Sequence, residues 1–264
     1  MKIIVCVKQV PDTNEVRINP KTGTLIREGV PSILNPDDAN ALEAALQIKD
    51  QRPGTQVTVL SMGPPQAKAM LQQCLAMGAD EAVLLSDRAL GGSDTWATSN
   101  ALAAAVKKLG GCDILFAGQQ AIDGDTAQVG PQLAEKLGIP QVTYARSILA
   151  GGGGTLTVQR ALEDGYMLLE VKTPCLITAI KELNKPRYMS VRGIYRAVGR
   201  EICVWSAADI GIGADKVGLE ASPTNVFRSF TPAPRGAGVA VPGDTPRELA
   251  VNLLSGMRAR QIIA

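Results

Sequence analysis

Glycines, carboxylates and hydroxyls crowd one stretch of this sequence: Gly118, Gln119, Gln120, Ala121, Ile122, Asp123, Gly124, Asp125, Thr126, Ala127, Gln128, Val129 and Gly130. Gly118 and Gly124 let a ligand approach the backbone closely. Thr126 is placed to cap a following helix and to hydrogen-bond a phosphate oxygen. By composition alone the stretch reads equally as an ordinary strand–helix loop with an Asp/Thr cap. Further candidates fall at comparable places. Cys6-Val7-Lys8 and Ser61-Met62-Gly63 end two apolar runs, and Asn35-Pro36-Asp37-Asp38 opens a helical pattern. Thr95 and Thr98 lie one turn apart on one helix face. Cys6 and Met62 also read as strand-end core, Asn35 and Asp37 as helix caps, and the two threonines as first-turn caps.

Other chemistry is excluded by what the chain lacks. It has no histidine, which removes Ser-His-Asp and Cys-His nucleophiles and every His-based metal site. Cys6, Cys74, Cys112, Cys175 and Cys203 are scattered without a C-x-x-C pair, so they form no zinc or iron–sulfur pattern and read as buried free thiols. There is no Walker A sequence and no G-x-G-x-x-G after the first strand. Any redox role must therefore rest on a borrowed cofactor. With 27 basic and 25 acidic residues, the near-balance argues against nucleic acid as a partner. No apolar run is long enough to span a bilayer, and a first strand beginning at Lys2 leaves no room for a signal peptide. The expected location is the cytoplasm, without membrane insertion.

The elements that must position these residues alternate between strand and helix. Hydrophobic residues make up 45% of 264 but aromatics only 3%, so the core must be aliphatic and alanine-rich. Strands are expected at 2–8, 56–61, 82–86 and 113–117, and helices at 35–50, 66–77, 94–109 and 126–137, the last two helical patterns stopping near Leu109 and Gly138. Such alternation predicts an α/β fold: a Rossmann-like, twisted, mostly parallel sheet with helices on both faces. Ligands bind such sheets at the carboxyl ends of the strands, where the candidate residues fall. From Gly151 the pattern changes to a glycine turn and strands at 155–160, 166–172 and 175–179, an added β-hairpin. Residues 183–201 read as a long basic surface loop. A Pro/Gly linker over 231–246 leads to a capping box at Thr245–Glu248 and a final helix. The expected domains are 1–230, a nucleotide-binding α/β domain, and 231–264, a C-terminal docking arm.

Six segments in order resemble one known family over nearly the whole chain. They are Val5–Val10, Asn35-Pro36, Met62-Gly63-Pro64, Ala76–Asp80, the stretch from Gly118, and Leu183–Tyr188. The sequence is similar to electron-transfer flavoprotein β subunits. The resemblance implies an obligate heterodimer with an α subunit. It implies an adenine nucleotide near Cys6, Asn35, Pro36, Asp37, Asp38 and Met62, with phosphates along Gly118 to Val129. Ser93–Ser99 and Asp123–Pro131 resemble the electron-bifurcating branch of that family. There the nucleotide is FAD, contacted by threonines matching Thr95 and Thr98, electrons come from NAD(H), and acceptors include ferredoxin or flavodoxin. In the ordinary branch the site holds structural AMP. The stretch around Val191 matches a recognition loop whose aliphatic anchor docks an acyl-CoA dehydrogenase-type flavoenzyme. Val191 replaces a frequent leucine, and Arg192 stands where proline occurs. Arg187, Arg192, Arg196 and Arg200 flank it with charge suited to steering an acidic partner. The rival readings are an ATP/AMP-binding signalling module and an ATP-dependent adenylating enzyme. The linker and tail count against the first. A missing pyrophosphate loop counts against the second.

Overall fold

The computed structural model describes residues 1–12, 31–224, 226–227 and 236–263, without the side chains of 150–152. Its strands are β1 (Lys2–Cys6), β2 (Gln9–Pro11), β3 (Ser32–Leu34), β4 (Gln56–Met62), β5 (Glu81–Leu85), β6 (Ile114–Gly118), β7 (Gln141–Gly152), β8 (Thr155–Leu162), β9 (Gly165–Lys172), β10 (Cys175–Ala179) and β11 (Cys203–Trp205). Its α-helices are α1 (Pro36–Gln51), α2 (Lys68–Met77), α3 (Thr95–Lys108), α4 (Val129–Leu137), α5 (Val191–Ala197) and α6 (Pro246–Ala259). Two compact units result, Met1–Phe227 and Arg228–Ala264.

The first unit is built on a nine-stranded sheet in the order β11-β5-β4-β1-β6-β10-β7-β8-β9. Strands β11 through β7 run parallel; β8 and β9 add antiparallel. The central strands are aliphatic and buried on both faces, as a sheet covered by helices requires. Side chains of α1 and α2 pack with Ile3, Val5, Val57 and Val59 on one face. Those of α3 and α4 pack with Ile4, Cys6, Leu60 and Leu115 on the other. Leaving β1, the chain builds β4 and β5 to one side and β6 to the other. The switch point, where an open α/β sheet splays into a ligand crevice, therefore lies between β1 and β6.

Local chemistry explains most boundaries. Proline opens α1, and Asp94 caps α3 by accepting the Ala97 N–H. Gly78 ends α2 with φ +132°, out of reach for other residues. Gly153 and Gly154, with φ of +61° and +82°, make the tight β7–β8 turn.

Four local expectations needed correction. Strand β7, which starts at Gln141 where no strand was expected, joins the sheet parallel to β10, and the expected hairpin of β8 and β9 is added onto it. The segment 183–201 is not a continuous loop: Ser190 caps α5, and β11 follows. Gln9–Pro11 and Ser32–Leu34, where no strands were expected, pair as a small antiparallel ribbon. Finally, Cys203 is exposed on the edge strand, although Cys6, Cys74 and Cys175 are buried as expected. Residues 13–30 and 231–235, part of the expected linker, lie outside the described residues.

In the second unit the capping box forms as expected. The Glu248 N–H donates to Thr245 Oγ1 at 3.2 Å, and the Thr245 N–H donates to Glu248 Oε2 at 3.2 Å. Leu249, Leu253 and Leu254 of α6 are exposed. Among the described residues, no helix is long and apolar enough to cross a membrane.

Candidate nucleotide site

Cys6, Met62 and Gly118 end three adjacent strands, so the sheet brings these sequence-distant residues together. Cys6, Met62 and Ala117 belong to the core face covered by α3 and α4. Helices α3 and α4 follow β5 and β6, so their first turns fall at the carboxyl ends of the strands, where an open α/β sheet binds its ligands. Burial pushes the Cys6 thiol well above its ordinary range, so it is no thiolate nucleophile.

The opening of α1 organises the loop after β6. Asp38 is buried; its Oδ2 accepts the Lys8 N–H at 2.8 Å and its Oδ1 accepts the Gly118 N–H at 2.9 Å. One carboxylate thereby ties the ends of β1 and β6 across the switch point. Burial raises its pKa to about 7, against the lowering effect of those two N–H groups and of Asn35. Burial also raises the Asp37 carboxyl, opposed by the backbone of Gln120. Asn35 is fully buried and makes no capping bond to its own helix. Instead its Nδ2 donates to the Gln120 carbonyl at 2.8 Å and its Oδ1 accepts the Ile122 N–H at 3.1 Å. Asn35 is thus the N-cap residue of α1 by position, without capping it through its side chain. Pro36 supplies the fixed φ of the first helical position.

Gly118 has to be glycine for reasons of space. A Cβ there would lie 2.4 Å from Asp38 Oδ1 and 2.7 Å from Asp37 Cβ. Lys8, which the sequence placed at the end of the first apolar run without giving it a role of its own, adds an ion pair: its Nζ is 2.6 Å from Asp123 Oδ1, whose side chain is buried. The signal available was a lysine directly ending an apolar strand. Gln120 Nε2 donates to Asp125 Oδ1 at 2.9 Å, closing the loop on itself.

The expected cap at Thr126 does not form. Asp125 and Ala127 take left-handed backbone angles, φ +48° and +52°, which an α-helix cannot include, so α4 begins only at Val129. The deviation has a chemical result. Among the described residues, the N–H groups of Thr126, Ala127, Gln128, Val129 and Gly130 have no hydrogen-bond acceptor. Left-handed Ala127 followed by right-handed Gln128 makes a backbone nest, and the positive end of α4 lies directly behind it. Such a donor set matches a phosphate. Gly130 seats α4 against β10, since a Cβ there would lie 2.7 Å from Thr178 Cγ2.

Of the two threonines, Thr95 reaches this nest. Thr95 is the first residue of α3; its Oγ1 donates to Gln128 Oε1 at 2.8 Å and accepts from Gln132 Nε2 at 3.4 Å. Ser99 Oγ extends the network to Gln132 Oε1 at 3.2 Å. Because Asp94 caps α3, neither Thr95 nor Thr98 is its capping residue. Gln132 and Ser99 were not singled out from sequence, although Gln132 stands one helical turn beyond Gln128. Elsewhere, a cavity of about 350 Å³ near Asp80, Arg200 and Trp205 lies at the amino ends of β5 and β11, away from these donors.

Val191 lies far along the chain from the nucleotide segments and opens α5, where it is 86% exposed. Tyr195 and Val198 are exposed at the next turns. Of the four flanking arginines, Arg187 is not available to steer a partner, because Glu43 and Asp50 neutralise it. Arg192 and Arg196 lie exposed on α5 itself.

Residues 22–210 match the family model described as electron transfer flavoprotein domain. The chain is 60% identical over 263 residues to the caffeyl-CoA reductase-Etf complex subunit CarD of Acetobacterium woodii, covering all of both chains. It is 58% identical over 264 residues to the electron transfer flavoprotein subunit beta of Clostridium acetobutylicum, again over both full lengths. It is 51% identical over 271 residues to the acryloyl-CoA reductase electron transfer subunit gamma of Anaerotignum propionicum, with the same coverage. The fold and these matches over the whole chain agree, and the protein belongs to the electron transfer flavoprotein family as a β-subunit-type chain.

Proposed function

We propose that the crevice at the ends of β1, β4 and β6 holds FAD, and that the chain works as one half of an αβ flavoprotein. The observation that carries this reading is the run of five backbone N–H groups, Thr126 to Gly130, with Thr95 beside it. The nest suits one phosphate. A second phosphate needs donors from another element, and the first turn of α3 offers the Thr95 and Thr98 hydroxyls. Cys6 and Met62 offer an apolar floor to an adenine. Asn35, Pro36, Asp37 and Asp38 hold the loop from Gly118 to Asp125 in place, mainly through side chains already committed to protein groups.

FAD, when bound, supplies hydride acceptance from NADH and the return of electrons one at a time. This chain's residues bind and orient it; no side chain here is assigned as an acid or base. With the α subunit, the complex takes electrons from NADH and divides them. One goes to a low-potential acceptor, ferredoxin or flavodoxin, and the other to an acyl-CoA dehydrogenase-type flavoenzyme. Two relatives carry a CoA-ester reductase in their names, which supports that partner class. Val191 is its proposed anchor, and residues 231–264 are the proposed arm on the α subunit. The setting is cytoplasmic, without membrane insertion or nucleic acid.

One observation favours a second reading, in which the site keeps structural AMP. The nest alone accommodates a single phosphate, and the Thr95 hydroxyl already has Gln128 as a partner. Co-purification with the α subunit, followed by acid release of nucleotides, decides. Two FAD per heterodimer is the expected result; one FAD with one AMP overturns the proposal.

A further inference from the structure

Helix α1 grips a second segment besides the nucleotide loop. Asn40 and Glu43, both nearly fully buried, face residues 184–187. Asn40 Nδ2 donates to the Asn184 carbonyl at 2.8 Å, and Asn184 Nδ2 donates back to the Asn40 carbonyl at 2.9 Å. Arg187 meets Glu43 as a two-pronged fork, Nε to Oε2 at 2.7 Å and Nη2 to Oε1 at 3.0 Å. The Arg187 N–H reaches the same carboxylate at 3.2 Å, and Nη2 also reaches Asp50 at 2.8 Å. This is a built junction, with every contact between groups 137 or 144 residues apart in sequence.

The junction sits just before α5. Ser190 caps that helix, its Oγ accepting the Gly193 N–H at 2.9 Å. On the far side α5 lies flush on α2: a Cβ at Gly193 would be 2.1 Å from the Ala76 carbonyl oxygen, and Gln72 Nε2 donates to the Ala197 carbonyl. The short helix α5 is too brief to be stable alone. Its orientation is therefore set by these two attachments, and they leave Val191, Tyr195 and Val198 pointing outward.

We propose that Asn184 and Arg187 are positioning residues for partner docking, locking the lead-in of α5 onto α1 so that its apolar stripe is presented preformed. Preforming a binding surface avoids the ordering cost of association. A fork onto a buried carboxylate demands a guanidinium, because the ammonium of lysine is a single point charge. The proposal rests on the reading above that α5 docks the dehydrogenase-type partner.

The test uses the purified αβ heterodimer, with a short-chain acyl-CoA dehydrogenase as the probe acceptor. Steady-state transfer gives KM for the probe and kcat at saturation, and hydrogen exchange follows the amides of 191–198. Arg187→Lys is expected to raise KM at least fivefold with kcat within twofold, to speed exchange in α5, and to leave nucleotide content unchanged. Val191→Ala is expected to raise KM about five- to tenfold, the loss of part of a buried anchor, without changing exchange. If Val191→Ala raises KM and Arg187→Lys does not, the positioning role is wrong while the docking reading stands. If Val191→Ala leaves KM unchanged, the docking reading fails and takes the proposal with it. Should Arg187→Lys not fold, Asn184→Ala, which keeps the ion pair, is held to the same expectations.

Discussion

Replacing Gly118 by alanine isolates the contact on which the crevice depends. The φ of Gly118 is not in the left-handed region, so the backbone would accept alanine; the obstacle is space. The added methyl would sit 2.4 Å from Asp38 Oδ1 and 2.8 Å from the backbone carbon of Asp37. Neither neighbour is a flexible tip, so the first turn of α1 must retreat from β6. Overpacking of this kind costs about 1–3 kcal/mol. The retreat also stretches the Gly118 N–H bond to the Asp38 carboxylate, roughly a further 1.5–3 kcal/mol for a bond to a charged group. At about 2–4 °C per kcal/mol for a chain of this size, the melting temperature should fall by roughly 5–20 °C. Because Asn35 moves with the same turn, its hold on Gln120 and Ile122 loosens, and nucleotide retention should fall as well. Gly124→Ala is the matched control, in the same loop, with nothing within 4 Å of its Cβ position. It should not change stability measurably. The assay is differential scanning calorimetry of the heterodimer with nucleotide quantified after acid release. If Gly118→Ala matched wild type in both, the packing of α1 over β6 could not be what holds the phosphate loop.

Three other outcomes are expected. Thr95→Val combined with Thr98→Val should lower FAD occupancy of this site and leave the α-subunit FAD in place; two lost bonds to phosphate, each about 1.5–3 kcal/mol, weaken affinity by roughly two orders of magnitude or more. Two FAD retained in that variant would show that the threonines serve the α3–α4 network alone. Deleting residues 231–264 should abolish stable heterodimer formation while the first unit still folds, and unchanged binding to the α subunit in a pull-down would refute the arm. Burial raises Asp38 to about 7. Its contribution to stability is therefore full below about pH 4, the unfolded value, and is lost as pH rises through about 7. Urea unfolding between pH 5 and 8 should show this decline in wild type and a flatter profile in Asp38→Asn; parallel profiles would contradict it.

The repeating pattern of the sequence was enough to determine the parallel α/β core of the first unit. Aliphatic runs such as Lys2–Cys6 and Ile114–Gly118 can only be strands buried on both faces, and the helices between them force parallel pairing. The capping box at Thr245–Glu248 was likewise legible, because its two hydrogen bonds join residues three apart. Tertiary structure decided the site. Nothing local distinguishes an Asn35 that caps its own helix from one that holds Gln120 and Ile122, since the choice depends on which strand end lies across from it. The start of α4 could not be read at Thr126 because Asp125 and Ala127 are held left-handed, against their intrinsic preference, in a loop that Lys8 and Asn35 restrain from other elements. Arg187 looked like one of four surface charges until the fold set Glu43 and Asp50 against it. Periodicity reports which face of an element is buried; it carries no information about which distant group a polar side chain meets there.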